Sequence, residues 1–397
     1  MPRLADRIEQ LTESQTIAMA QLSRELQAQG LDIISLSLGE PDFVTPEVIR
    51  EGAKKAIDEG FTKYSPIAGF PDLRQAICDK FKNENGLDYT PDQIVVSTGA
   101  KQSIANVVLC LINPGDEVIV PAPYWVSYSQ IIKLAGGVPI FITTTVDHDY
   151  KVTPQQLEAA ITPKTRMLIF SSPCNPSGTV YTKEELEGIA QVVAQHDELY
   201  VISDEIYEHI NFSGRHASIA SFPFVRDRVI IINGVSKGYA MTGWRIGYIG
   251  APVWIAKACD KMQGQFTSGA SSISQKAALT ALRSGGAFFE EMQNTYRRRR
   301  DLVVDALKKI PGMKVNVPMG AFYVFPDVSG FFGKTDGATV INNPNDLSMY
   351  LLKDAQVAVV TGEAFGDNHC IRLSYATSDD LLQKAMARIT ASLGKLR

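Results

Sequence analysis

Six short apolar runs through the middle of the chain limit its fold more than any other feature. They are 94–97 (IVVS), 117–120 (EVIV), 138–142 (VPIFI), 167–171 (MLIFS), 199–203 (LYVIS) and 229–232 (VIII). Each is rich in β-branched residues and apolar on both faces, the pattern of parallel strands covered on both sides. Between them, 101–112, 183–196 and 271–283 carry a helical period and read as the covering layers. The layout is α/β. In an open α/β sheet, ligands sit beyond the carboxyl ends of the strands, so the chemistry is expected in residues that directly follow these runs.

The last hundred residues read differently. Segment 296–312 is helical, 320–328 (GAFYVFPDV) is strand-like, and a helical stretch around 346–355 precedes VAVVTG and CIRLSYAT. This mixture predicts a second, smaller α+β domain, as a length of 397 residues also suggests. The N-terminal arm is expected to join it, because 31–43 (LDIISLSLGEPDF) reads as a strand leading into a turn. The expected division is 41–289 for the large domain, with 1–40 and 290–397 forming the smaller one. Segment 329–345 has no motif and reads as a flexible surface loop.

The totals exclude several classes. A net charge of −4 gives no global attraction for nucleic acid or an anionic membrane. Arg297 to Arg300 form the one strong basic run, but at helical spacing they point in different directions, and Glu290, Glu291 and Asp301 lie close by. The five cysteines and five histidines show no metal spacing, so no metal is expected, and the histidines read as surface or locally hydrogen-bonded groups. The polar N-terminus lacks a signal-peptide block, and no apolar run approaches the roughly 20 residues of a membrane span. A cytoplasmic enzyme with reduced thiols is the expectation.

The strand ends hold the informative residues. After IVVS, Thr98-Gly99-Ala100-Lys101 opens a helix, whose N-terminus offers backbone N–H groups to a phosphate. There is no Walker A sequence and no GxGxxG fingerprint, so ATP and NAD have no motif support. After MLIFSS, two prolines and a glycine surround Asn175. Asp204 follows LYVIS, then Tyr207; a carboxylate at the end of a buried strand needs a cationic partner. After VIIINGV come Ser236 and Lys237, amid small and apolar neighbours and close in sequence to Arg245. A desolvated lysine near another cation loses its proton more easily and becomes nucleophilic. Each feature alone has an ordinary explanation: a turn, a helix cap, a surface lysine. Together they supply what pyridoxal 5′-phosphate needs, namely an amine, an acid for the ring nitrogen, donors for the phenolic oxygen and a phosphate cup.

With these residues in place, the chain resembles the class I (fold-type I) aminotransferases that depend on pyridoxal phosphate, most closely the bacterial-type aspartate aminotransferase branch. The matching segments are 39–46 (GEPDFVTP), 63–74, 97–102 (STGAKQ), 123–128 (PYWVSY), 175–178 (NPSG), 203–208 (SDEIYE), 236–248 (SKGYAMTGWRIGY), 320–325 (GAFYVF) and 372–377 (RLSYAT). The resemblance implies the fold-type I architecture, a large domain with a mostly parallel sheet plus a smaller α+β domain. It implies that Lys237 forms the internal aldimine, that Asp204 pairs with the pyridine nitrogen, and that Asn175 and Tyr207 bond the phenolic oxygen. Trp125 would stack on the ring. Gly99, Ala100, Lys101, Ser236 and Arg245 would surround the phosphate. Tyr64 would reach the neighbouring subunit's phosphate, implying a homodimer with shared active sites. Arg372 would hold the substrate α-carboxylate as a bidentate fork, with Gly39 and Asn175 beside it.

The implied reaction is ping-pong transfer of an amino group between amino acids and 2-oxo acids. L-Aspartate with 2-oxoglutarate is the expected pair. Thr16 and Lys101 match positions near the substrate side chain, and branch members with both include enzymes that accept prephenate. Some relatives carry a lysine earlier in the arm, where this chain has Thr12. The alternatives are prephenate, aromatic or alanine aminotransferase, a lyase on the same fold, or a regulator that binds the cofactor without turnover.

Overall fold

The computed structural model describes residues 4–397. The arm begins with helices Asp6–Glu9 and Gln15–Ala28, then the two-residue strand β1 (Ile34–Ser35). Seven strands follow: β2 (Ile94–Ser97), β3 (Glu117–Ala122), β4 (Val138–Thr143), β5 (Thr165–Ser171), β6 (Tyr200–Asp204), β7 (Val229–Gly234) and β8 (Gly247–Gly250). They form one sheet in the order β2-β8-β7-β6-β5-β3-β4. Strands β4, β3, β5, β6 and β7 run parallel, and β8 lies antiparallel to both its neighbours. The six apolar runs thus become six strands of one mostly parallel sheet. Burial of IVVS and VIIING is complete from end to end. Helices cover the two faces with separate apolar clusters, one around Phe81, Leu168 and Ile231, the other around Ile104, Val118 and Ile230.

Two elements depart from expectation. The strand β8 (GYIG) carries no apolar period because its glycines are needed for contact: a Cβ on Gly247 would collide with the backbone of Gly99 and Ala100. Strand β4 is at the sheet edge, so it is not apolar-covered on both faces; Val138 and Phe141 stay exposed, Phe141 stacking on Tyr124 at 4.9 Å between ring centroids.

The C-terminal part has its own core around Tyr296, Phe322, Leu347 and Tyr375. Its long helix spans Ala287–Leu307, starting earlier than the sequence pattern suggests. The strand-like 320–328 contracts to β9 (Tyr323–Val324), flanked by single bridges at Gly320 and Asp327. The helix Pro344–Tyr350 runs into a π-helical turn, Leu351–Ala355. Strands β10 (Val357–Ala358), β11 (Val360–Thr361) and β12 (Ile371–Ser374) follow. An antiparallel sheet orders them β11-β12-β9, while β10 pairs in parallel with β1 of the arm. The arm therefore does join this part, though its strand is two residues long. Segment 329–345 is not a free loop: Phe331 and Ile341 are buried, and the backbone closes on itself through Gly333 N to Ile341 O at 2.8 Å.

Candidate active site

One cavity of about 400 Å³ opens where the carboxyl ends of the parallel strands face β9, β12 and the arm. Such a volume is typical of small-molecule sites. Asp204 ends β6 and lies at its base, almost fully buried. Its Oδ2 accepts a hydrogen bond from the Tyr128 hydroxyl at 2.7 Å, and its Oδ1 accepts one from Ile206 N at 3.3 Å. Burial pushes this carboxyl up to about 6, against the pull of the Tyr128 bond. Lys237, in the turn after β7, donates from Nζ to the Gly39 carbonyl at 2.6 Å. Burial is the main force lowering its ammonium to about 8; Arg245 and Arg372 push the same way, while Glu40 and Asp204 oppose them.

The next strand ends meet the small sheet. Asn175 Oδ1 accepts from Arg372 Nη1 at 2.9 Å, and Arg372 Nη2 donates to the Ser37 carbonyl at 2.6 Å. The guanidinium lies between the rings of Tyr323 and Phe365, 4.6 and 4.8 Å from their centroids. Its buried Nε has no hydrogen-bond partner among the described residues. Tyr207 and Tyr323 share a hydrogen bond between hydroxyls at 2.7 Å. Gly39 has to be small, since a Cβ there would sit 2.6 Å from the Tyr323 hydroxyl.

A third wall forms at the N-terminus of the helix Ala100–Leu111, where the first N–H groups lie outside the helical ladder. Gly99 precedes it at φ 82°, and a Cβ there would meet the Arg245 guanidinium. Arg245, itself left-handed at φ 56°, donates from Nη1 to Thr242 O at 2.8 Å. Ser236 lines the same end. Lys101 Nζ rests 5.0 Å from the Trp125 ring centroid, and burial followed by the Arg245 charge lowers its ammonium. Thr16 reaches the cavity from the arm, hydrogen-bonded to Ser14.

Every site residue expected from sequence lines this cavity except two: Tyr64, and the phosphate-side Gly99, which stands one residue behind the lining Ala100. Tyr64 is 98% exposed and borders a separate surface groove with Phe61 and Ser271. Sequence reasoning gave no role to Tyr128, Tyr323, Ser37 or Glu40. Tyr128 ends the matching segment 123–128, but nothing local in that segment marks its contact with Asp204, 76 positions away.

Behind the loop after β6 lies a second set of charges. Glu208 Oε1 takes the buried Lys80 ammonium and Asn233 Nδ2, the latter at 2.7 Å. Burial opposes the Glu208 charge, but Lys80, His209 and His216 more than offset it and hold the carboxyl far below its usual range. Glu205 accepts from Ser203 and Ser218 and pairs with His216 Nε2 at 3.0 Å. His216 is therefore a buried partner and not a surface group. These side chains cluster at metal-like distances that the sequence spacing did not reveal, with Lys80 already supplying a cation. The four-arginine run disperses: Arg299 pairs with Asp42 and Asp379, Arg298 with Asp379 and Arg300 with Asp301, while Arg297 donates to the Phe212 carbonyl at 3.5 Å.

The sequence profile of aminotransferase class I and II matches residues 31–389. The chain belongs to that family. Among curated relatives, the bifunctional aspartate aminotransferase and glutamate/aspartate-prephenate aminotransferase of Petunia hybrida is 50% identical, covering 98% of this chain and 82% of the relative. The aspartate/prephenate aminotransferase of Cereibacter sphaeroides is 47% identical, covering 98% of each. Among solved structures, the aspartate aminotransferase of Rhizobium meliloti superposes with a TM-score of 0.97 at 42% identity over the full length of both chains. The Thermus thermophilus aspartate aminotransferase with maleate gives 0.93 at 41% identity, covering 99% of this chain and 100% of that one. This aminotransferase accordingly has the fold-type I architecture.

Proposed function

We propose that this aminotransferase exchanges amino groups between L-aspartate and 2-oxoglutarate, giving oxaloacetate and L-glutamate, with pyridoxal phosphate held at Lys237. The observation that carries the reading is the meeting of Lys237, Asp204 and the Arg372–Asn175 pair in one cavity. The residues fit the cofactor. An amine lowered to about 8 suits attack on an aldehyde, and a buried carboxylate suits a cationic ring nitrogen. The glycine before the helix Ala100–Leu111 leaves space that a Cβ would fill beside Arg245.

When bound, the cofactor supplies an aldehyde and an electron-accepting ring. Lys237 Nζ would hold that aldehyde and, when freed, would act as the base that takes the substrate α-proton and as the acid that delivers it to the cofactor side. Asp204, steadied by Tyr128, keeps a proton on the ring nitrogen. Asn175 and Tyr207 donate toward the phenolic oxygen, and Trp125 covers one ring face and excludes water. The helix N-terminus at Gly99, Ala100 and Lys101, with Ser236 and Arg245, takes the phosphate. Arg372 orients the α-carboxylate beside Gly39 and Asn175. Thr16 and Lys101 face the substrate side chain, where Lys101 offers charge to a distal carboxylate.

A second activity on prephenate is supported by the names of the Petunia and Cereibacter relatives. Assembly as a cytoplasmic homodimer belongs to the same reading, in which Tyr64 would complete a partner's phosphate site; its exposure in the single chain supports this. The domain division at 40/41 and 289/290 stands as a proposal too, with Ala287–Leu307 as a continuous helix across its second boundary.

Steady-state assays with L-aspartate and 2-oxoglutarate, read as oxaloacetate formed, test the reaction. Lys237→Ala is expected to lose both the cofactor's covalent absorbance band and turnover. Near-normal turnover in that variant, or wild-type activity confined to alanine or phenylalanine, overturns the reading.

A further inference from the structure

The helix Ala100–Leu111, which starts at the phosphate end of the cavity, lies against the helix Val253–Phe266. Two hydrogen bonds fix their register. Gln102 Nε2 donates to Thr267 Oγ1 at 2.7 Å, and one turn further on Asn106 Nδ2 donates to Gln263 Oε1 at 3.0 Å. Four residues forward on the first helix match four residues back on the second, so the two run antiparallel. Residues four apart share a helix face. The next rung of the same ladder brings Cys110 opposite Cys259. Both belong to one apolar cluster, with Ile104, Val107 and Ile255. A disulfide needs side chains that point at each other, and this register supplies that.

The two thiols differ in access. Cys110 is half-buried near the end of its helix, whereas Cys259 has no exposed surface. A hydrogen bond between them lowers the Cys110 thiol below its ordinary value, against the effect of burial, and raises Cys259. A reagent from solvent therefore meets Cys110 first, and meets it as the readier thiolate. The other cysteines are placed differently. Cys78 packs in the cluster around Phe81, Cys174 points its sulfur at the Pro123 carbonyl at 3.9 Å, and Cys370 shares a hydrogen bond with the Tyr150 hydroxyl at 3.3 Å.

We propose that Cys110 and Cys259 form a reversible disulfide when the protein meets hydrogen peroxide, Cys110 reacting first and Cys259 resolving. The Cys110 sulfur attacks one peroxide oxygen, the O–O bond breaks, and the departing hydroxide leaves with the thiol's proton as water. Cys110 is then a sulfenic acid. The Cys259 sulfur attacks the Cys110 sulfur, the S–S bond forms, the S–O bond breaks, and the hydroxyl leaves with the Cys259 proton as a second water. Two electrons pass from the sulfur pair to the peroxide, and a dithiol returns them. A bridge of this kind in a chain with otherwise reduced thiols is a transient modification and not a structural staple. It stands independently of the substrate reading, because neither cysteine lines the cavity.

The test treats the cofactor-loaded protein with hydrogen peroxide, blocks remaining thiols by alkylation under denaturing conditions, and maps tryptic peptides by mass. The wild type is expected to lose two of its five thiols, to join peptide 102–133 to peptide 258–261, and to recover all five thiols with dithiothreitol. Cys259→Ser is expected to leave Cys110 as a sulfenic acid that dimedone captures, and Cys110→Ser to leave Cys259 reduced. The wild-type map decides the matter even where a variant folds poorly. Retention of all five thiols, a bridge to any other cysteine or between two chains, or Cys110 carried on to the sulfinic acid while Cys259 stays reduced, overturns the inference.

Discussion

Lys237 sits among opposing charges, and Glu40 is the foremost group holding a proton on it. Removing that charge in Glu40→Gln is expected to lower the ammonium below its present value of about 8. The rate at which cofactor-free protein takes up pyridoxal phosphate should rise with pH through this midpoint, and the midpoint should move down in the variant. An unmoved midpoint would show that Glu40 does not tune the amine. The sign carries over to stability. The folded value lies below the ordinary 10.5, so burial of the charged form opposes folding below pH 8, and that penalty fades as pH climbs toward 10.5. At this scale the sequence was readable where a chemical group directly follows a strand, as with Asp204 and Lys237. It was unreadable where partners lie far apart in the chain. Tyr128 reaches Asp204 across 76 positions and Tyr323 reaches Tyr207 across 116, and no local period records either contact.

The segment after β6 divides its residues between two faces. Asp204 and Tyr207 point into the cavity, while Glu205 and Glu208 enter the charge cluster behind it. Breaking that cluster leaves the buried Lys80 ammonium only the half-exposed Glu84 carboxylate at 3.6 Å and the Asn85 amide oxygen at 2.8 Å, so Glu208→Gln is expected to cost about 3 kcal/mol in denaturant unfolding. The neighbouring β8 bears on the site in another way. Gly247 has only backbone atoms of Gly99 and Ala100 where a side chain would go, and backbone yields little. Gly247→Ala is expected to lose roughly 1–3 kcal/mol of stability, read as a lower Tm, and to weaken cofactor retention because the phosphate turn is displaced. An alanine variant with unchanged Tm and retention would contradict that packing. The apolar strands were legible because burial makes β2, β3, β5, β6 and β7 apolar almost throughout, while the edge strand β4 was legible from its apolar run alone. Strand β8 was not, because close approach selected glycines, and the pinned course of 329–345 was hidden because its anchors are scattered: buried Phe331, Ile341 and Pro344, and backbone bonds between Thr335 and the distant Arg397.

At the scale of the molecule, the proposed shared site predicts complementation. Chains bearing Tyr64→Ala and chains bearing Lys237→Ala are each expected to be impaired alone. Mixed and reassembled, they should regain activity at one site of each hybrid dimer, where an intact Lys237 meets an intact Tyr64. Absence of recovery in verified hybrids would place Tyr64 outside the catalytic centre. The small sheet and the arm were legible as one mixed α+β part, but the shortness of their joint was not, since β1 and β10 pair over only two residues each. Arg372 shows what that joint means for exchange between relatives. Its guanidinium ties β12 to Ser37 of the arm and to Asn175 of the large sheet's turn. A chimaera that imported the C-terminal part alone would therefore inherit a carboxylate fork fitted to another protein's arm and turn. Those three segments form one transplantable unit, although the chain keeps them far apart.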